Sequence, residues 1–109
     1  MNDKLLIIKE IKLFINRYED MIYNVNNKYK VLKNKIIDNM YYILEDVCYC
    51  NLLEKNKRSN YQRRIICNIK LLDYYFYKLL LYKCINKDNY NKVTSNLNMI
   101  LKLVYGWMR

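Results

Sequence analysis

Lys55, Lys57, Arg58, Arg63 and Arg64 put five cations within ten residues, where a polar loop, EKNKRSN at Glu54–Asn60, runs into an apolar-periodic stretch. The chemistry open to such a cluster is electrostatic. Ammonium and guanidinium groups grip phosphate, and the free backbone amides of a helix N-terminus add to the attraction. Lys70 falls off the apolar stripe of the same stretch and belongs with them. Lys28, Lys30, Lys33 and Lys35 form a second basic patch, expected to extend the first if the loop before them folds beside it. Tyr61, Tyr74, Tyr75, Tyr77 and Tyr82 lie in or near the same helix. Tyrosines among cations can stack on unpaired bases, although half-buried packing is their commoner use. The plain alternative for the cluster is a solvated loop with no target.

Other chemistries are poorly supplied. Without His there is no Ser-His, Cys-His or metal-His arrangement, and a single Gly leaves no glycine-rich phosphate loop or dinucleotide fingerprint. Glu45 and Asp46 point about 100° apart on a helix, which does not make a general acid and base; pairing with a neighbouring helix is the better expectation. Cys48 and Cys50 lie about 200° apart, so neither spacing nor ligand set favours zinc. With no signal peptide in view, Cys48, Cys50, Cys67 and Cys84 read as reduced, buried apolar side chains of a cytoplasmic protein. The expectation is therefore a protein that is not an enzyme and carries neither metal nor cofactor. Asp73 and Lys78 interrupt the longest apolar run, which argues against a membrane span; a basic amphipathic helix lying on a membrane surface is a minor alternative.

Twenty Lys and Arg face ten Asp and Glu, a formal charge of +10 on 109 residues. An A+T-rich genome would enrich Lys and Tyr, but it would enrich Glu as well, and Glu is scarce. The imbalance points to an acidic partner, with nucleic acid first. The alternative is a protein-interaction module whose cations dock an acidic protein surface.

Positioning these groups falls to helices, since the chain has no Pro and one Gly. Ile65, Ile69, Leu72, Phe76 and Leu79 recur at four and three, one side of a helix over 60–85 with Ser59 placed to cap it. Ile7, Ile11, Phe14, Tyr18, Met21 and Val25 mark a first helix over 3–24, with Asn2 or Asp3 as its cap. Leu32, Ile36, Met40, Ile43, Val47 and Cys50 mark a second over 31–54; Tyr90, Val93, Leu97, Ile100, Val104 and Trp107 mark a fourth over 89–105. Breaks are expected at Asn24–Asn27, where Asn tolerates left-handed backbone values, and at Asn86–Asn89. Gly106 should end the last helix in a left-handed conformation, letting Trp107 fold back over the bundle's end. Residues 1–109 thus read as a single domain, an all-α antiparallel up-down-up-down four-helix bundle. Leu5, Leu6, Ile8, Leu13 and Ile15 make the first helix apolar on more than one side, which implies a subunit interface or a covering loop.

The closing run NYNKVTSNLNMILKLVYGWMR, Asn89–Arg109, resembles the end of the accessory variability determinant proteins of diversity-generating retroelements. These bAvd-like four-helix bundles are related to proteins encoded in intervening sequences of large-subunit ribosomal RNA. Their last helix carries a Tyr near its start, an acidic or amide residue and a Leu midway, and a Leu-Gly-Gly-Trp-Ile ending. Tyr90, Leu97, Ile100, Gly106 and Trp107 match that pattern; Tyr105 stands where the first glycine usually is, and Val104 replaces the Leu. LKNKIIDNMYYILEDVCYCN is similar to the family's second helix, and the third is similar in placing a Leu-rich helix after basic residues. NVNNKYK stands where the family often has a Phe-Pro-Lys turn. The resemblance implies a homopentamer with a basic surface, binding a reverse transcriptase and its template RNA or cDNA during mutagenic synthesis.

Overall fold

A chain with no Pro can end its helices only through caps and local hydrogen bonds, and it does so at three places. The computed structural model describes residues 3–109. Helix α1 spans Asp3–Tyr23, α2 Lys30–Asn51, α3 Ser59–Leu81 and α4 Lys87–Trp107, with 3-10 turns at Asn27–Tyr29 and Lys55–Lys57. No strand occurs among the described residues, and the architecture is an all-α arrangement of four helices measuring 43 × 23 × 19 Å. Among the described residues no helix is long and apolar enough to cross a membrane.

Each helix buries the stripe that its spacing marks out. Ile65, Ile69, Leu72, Phe76 and Leu79 of α3 are buried, as are Ile36, Met40, Ile43, Val47 and Cys50 of α2 and Val93, Leu97, Ile100, Val104 and Trp107 of α4. Leu32 and Tyr90, at the ends of their stripes, are half-buried. On α1, Ile7, Ile11, Phe14 and Tyr18 go inward and Val25 follows beyond the helix, but Ile22 takes the place expected of Met21. A strict heptad drifts about 20° per repeat on a straight helix, so a later residue meets the core. Ile15 also joins the core, leaving Leu5 and Leu13 as the exposed remainder of the surplus on α1.

Phe14, Tyr18 and Phe76 form the aromatic centre, with ring centroids 4.7, 6.0 and 6.3 Å apart in tilted and edge-on pairs. Phe76 is wholly buried. Phe76→Ala would therefore cost about 3–5 kcal/mol, since lost burial and an unfilled cavity add.

Contacts between successive helices run in opposite senses along the two partners. Lys33 reaches Tyr23 while Tyr41 reaches Glu19; Arg64 reaches Asp46 while Tyr82 stacks on Tyr29; Arg58 lies over Trp107 while Tyr77 meets Tyr90. The α1–α2 connection thus lies at the same end as the exit of α3, and the α2–α3 loop lies against the end of α4. Between α1 and α4, Asn96 Nδ2 donates to the Tyr18 hydroxyl. Between α3 and α4, the Tyr90 and Thr94 hydroxyls donate to the two oxygens of Asp73 at 2.7 and 2.9 Å. Burial first, then the hydrogen bond to Asp73, pushes the Tyr90 phenol up to about 12.

The caps differ from expectation in instructive ways. Ser59 does not cap α3: the 3-10 turn delivers Arg58 already in helical conformation, and Arg58 stands as N-cap without a side-chain bond. The Asn2 and Asp3 side chains, expected to cap α1, lie outside the described residues. The break at Asn24–Asn27 occurs without a left-handed Asn, because Lys33 Nζ donates to Tyr23 O at 3.0 Å and Val25 O at 2.6 Å and so satisfies the orphan carbonyls. The left-handed residue is instead Lys83, at φ 60°. There Cys84 N donates to Leu79 O at 2.8 Å and Lys83 N to Leu80 O at 3.0 Å, a Schellman ending. Asn86 caps α4, its side chain accepting from Asn89 N at 2.7 Å.

Gly106 is helical, not left-handed, and α4 continues through Trp107. Trp107 falls in register with Val93, Leu97, Ile100 and Val104, so continuing the helix is what buries the indole. The thiols also diverge from expectation: Cys50 is buried and Cys84 half-buried, but Cys48 and Cys67 are exposed. Each lies one or two residues past an inward position, Val47 or Ile65, which rotates it out of the core.

Candidate nucleic-acid interface

The outward seam between α2 and α3 is built by helical spacing. On α2, Lys35, Asn39, Tyr42, Asp46 and Tyr49 recur at four and three; on α3, Tyr61, Arg64, Asn68, Leu71, Tyr75, Lys78 and Tyr82 do the same. Across this seam Arg64 meets Asp46, Tyr61 packs on Tyr49 and Tyr82 stacks on Tyr29.

At the end nearer the α2–α3 loop, Arg64 holds Asp46 through Nε to Oδ2 at 2.9 Å and Nη2 to Oδ1 at 2.7 Å. Among the described residues this is the one ion pair. Asp46 therefore meets a neighbouring helix, as its position implies, and the bond raises the Arg64 guanidinium above its ordinary value. The guanidinium carbon also lies 5.0 Å from the Tyr61 ring, which in turn packs on Tyr49 with centroids 5.0 Å apart. The adjoining Tyr49 phenol is the main cause raising the Tyr61 phenol.

Arg58 is committed elsewhere. Its Nε donates to Leu53 O at 2.9 Å, its guanidinium lies 5.9 Å from the Trp107 ring, and it is only half-exposed. It fastens the loop to the ends of α2 and α4. Lys55, Lys57 and Arg63 are exposed, as is Lys70 on the solvent ridge of α3 that continues to Tyr74. Helix α3 begins with no acidic residue in its first turn and no side-chain cap, so its amide end adds positive potential to this region.

At the other end of the seam, Lys28, Tyr29, Lys35, Tyr74, Lys78 and Tyr82 line an open groove of about 510 Å³. Tyr29 and Tyr82 stack at 5.0 Å and 13°, joining the entry of α2 to the exit of α3. Lys28 Nζ lies 5.1 Å from the Tyr29 ring, and Lys78 Nζ lies 6.0 and 5.4 Å from the rings of Tyr74 and Tyr82. The neighbouring Tyr82 phenol first, and then Tyr74, raise the Lys78 ammonium above its ordinary value. Lys30 is exposed beside the groove, whereas Lys33 is spent on the carbonyls of the first loop.

The two basic patches named from the sequence are therefore not side by side. The 22 residues of α2 separate them, about 33 Å of helix, because the loops that carry them lie at opposite ends of that helix. What connects them is the α3 ridge with Arg63, Lys70 and Tyr74. Lys78 and Tyr29 belong to the surface and escape a reading based on cation runs. The signal for Lys78 is the spacing Tyr74, Lys78, Tyr82, which puts a cation between phenols on one helix face. No family model, no curated protein and no solved structure matches this chain.

Proposed function

We propose that the chain is a non-catalytic, cytoplasmic nucleic-acid-binding accessory protein, which holds template RNA or cDNA for a reverse transcriptase of the diversity-generating-retroelement type. The observation that carries the nucleic-acid part is the α2–α3 face. Lys28, Lys35 and Lys78 line its groove, Lys55 and Lys57 stand in the loop at its other end, and Arg63 and Lys70 follow on the solvent ridge of α3; none has a carboxylate partner among the described residues, and Arg64 alone is paired. A rigid helical pair that displays cations rather than neutralising them suits a polyanion of regular charge spacing. The polymerase part rests on the resemblance of the closing segment around Gly106 and Trp107.

The mechanism is scaffolding. The α2–α3 face grips phosphate, which leaves the opposite side free for protein. There Leu13 and Met99 lie together, 40% and 42% exposed, a surface suited to self-association, and the resemblance implies a homopentamer.

Titration of the protein with single-stranded RNA, duplex DNA and poly-glutamate at low salt tests the class of partner. Binding to nucleic acid in preference to the polypeptide supports the proposal. Binding to poly-glutamate alone would leave a module for acidic proteins. The polymerase assignment is tested separately, by co-purification with a reverse transcriptase encoded beside this gene.

A further inference from the structure

We infer that the groove between the start of α2 and the end of α3 is a site for single-stranded nucleic acid, with unpaired bases against Tyr29, Tyr74 and Tyr82 and phosphates on Lys28, Lys35 and Lys78. This rests on the nucleic-acid reading above and adds to it the form of the strand and the place where it binds.

The cations stand on both rims: Lys28 and Lys35 come from the α2 side and Lys78 from α3. Between them the lining is aromatic and aliphatic, with half-buried Leu32 and exposed Val31 beside the tyrosines. Tyr74 and Tyr82 are 53% and 43% exposed, against 6% for the core residue Tyr18. Exposed phenols are what a base stacks on. Lys28 and Lys78 also lie close to a ring, so a phosphate site adjoins a base site. A duplex hides its bases in its own stack and would leave these rings unused.

Electrostatics agree. No carboxylate lines this groove; the first, Asp38, enters in its continuation beside Asn39 and Asn68. Helix α2 opens with Lys30 and Lys33 and no acidic residue in its first turn, an arrangement that opposes the helix dipole and reinforces positive potential at the groove's mouth.

The test is fluorescence anisotropy with labelled oligouridylate, oligothymidylate and a blunt duplex of equal length. Tyr74→Ala with Tyr82→Ala should weaken both single strands by about tenfold or more and leave the duplex unchanged. Tyr74→Phe with Tyr82→Phe, which keeps the ring faces, should retain single-strand affinity. Lys78→Gln, which leaves the aromatic lining intact, should weaken single strands and reduce the salt dependence by about one phosphate contact. Circular dichroism checks that each variant remains helical. If the wild type binds nucleic acid and neither the alanine pair nor Lys78→Gln alters single-strand binding, the site is misplaced while the broader reading stands. A wild type that binds none of the three probes overturns both.

Discussion

Arg64 and Asp46 form a two-pronged ion pair across the α2–α3 seam, at 2.9 and 2.7 Å. It subtracts one guanidinium from a face that otherwise displays its cations. Asp46→Asn should release Arg64 toward a polyanion. Nucleic-acid affinity is then expected to rise, while stability changes little because the pair is largely exposed on the Arg side. Denaturant midpoints and binding isotherms of the same variant check this, and a fall in affinity would show that the pair itself is part of the binding surface.

Lys33 and Lys30 look alike in the sequence and differ in the fold. Lys33 Nζ bonds Tyr23 O, Val25 O and Asn27 Oδ1, at 3.0, 2.6 and 3.1 Å. Lys33→Gln should destabilise the protein by about 1–2 kcal/mol, whereas Lys30→Gln should change stability by less than about 0.5 kcal/mol. Urea unfolding distinguishes the two; equal effects would mean that the first loop is closed in some other way.

Lys83 adopts φ 60° at the end of α3, where a β-carbon is unfavourable and glycine is the usual solution. Lys83→Gly is expected to raise stability by about 1 kcal/mol. A loss of stability would indicate that the Lys83 side chain makes a contribution beyond its backbone.

The Tyr90 phenol, buried and bonded to Asp73, is pushed up from 10.0 to about 12. A folded value above the unfolded one means that the fold holds this proton more tightly. The associated stability is complete below about pH 10 and is lost as pH rises from about 10 to 12. Tyr90→Phe should be less stable at neutral pH, having lost the bond to Asp73, but its stability should fall less steeply across that window. Unfolding curves across the window decide it, and parallel declines would place the alkaline sensitivity on other tyrosines.

The fold was legible because α2, α3 and α4 bury what their spacing marks, down to Trp107 at the last turn. Where the reading slipped, a local bond or a small rotation decided the outcome. Met21 yields to Ile22 through helical drift, Ser59 yields to Arg58 because a 3-10 turn precedes α3, and Gly106 stays helical because Trp107 belongs to the core stripe. The candidate surface was legible as charge but not as geometry. Nothing local to Arg64 tells that Asp46 awaits it 18 positions away. Nor does the loop around Arg58 disclose that its guanidinium will lie over Trp107. The groove joins Tyr29 to Tyr82, residues that only the reversal of the chain between α2 and α3 brings together.

The claim beneath the account is that cations on the α2–α3 face contact phosphates directly. Its most direct test is the salt dependence of affinity for a single-stranded oligonucleotide, in the wild type and in a Lys28→Gln, Lys35→Gln, Lys78→Gln variant. For the wild type, log affinity should fall linearly with log salt at about −0.7 per phosphate neutralised, and the variant should lose about three contacts' worth of that slope. A wild-type affinity indifferent to salt, or an unchanged slope in the triple variant, would contradict it.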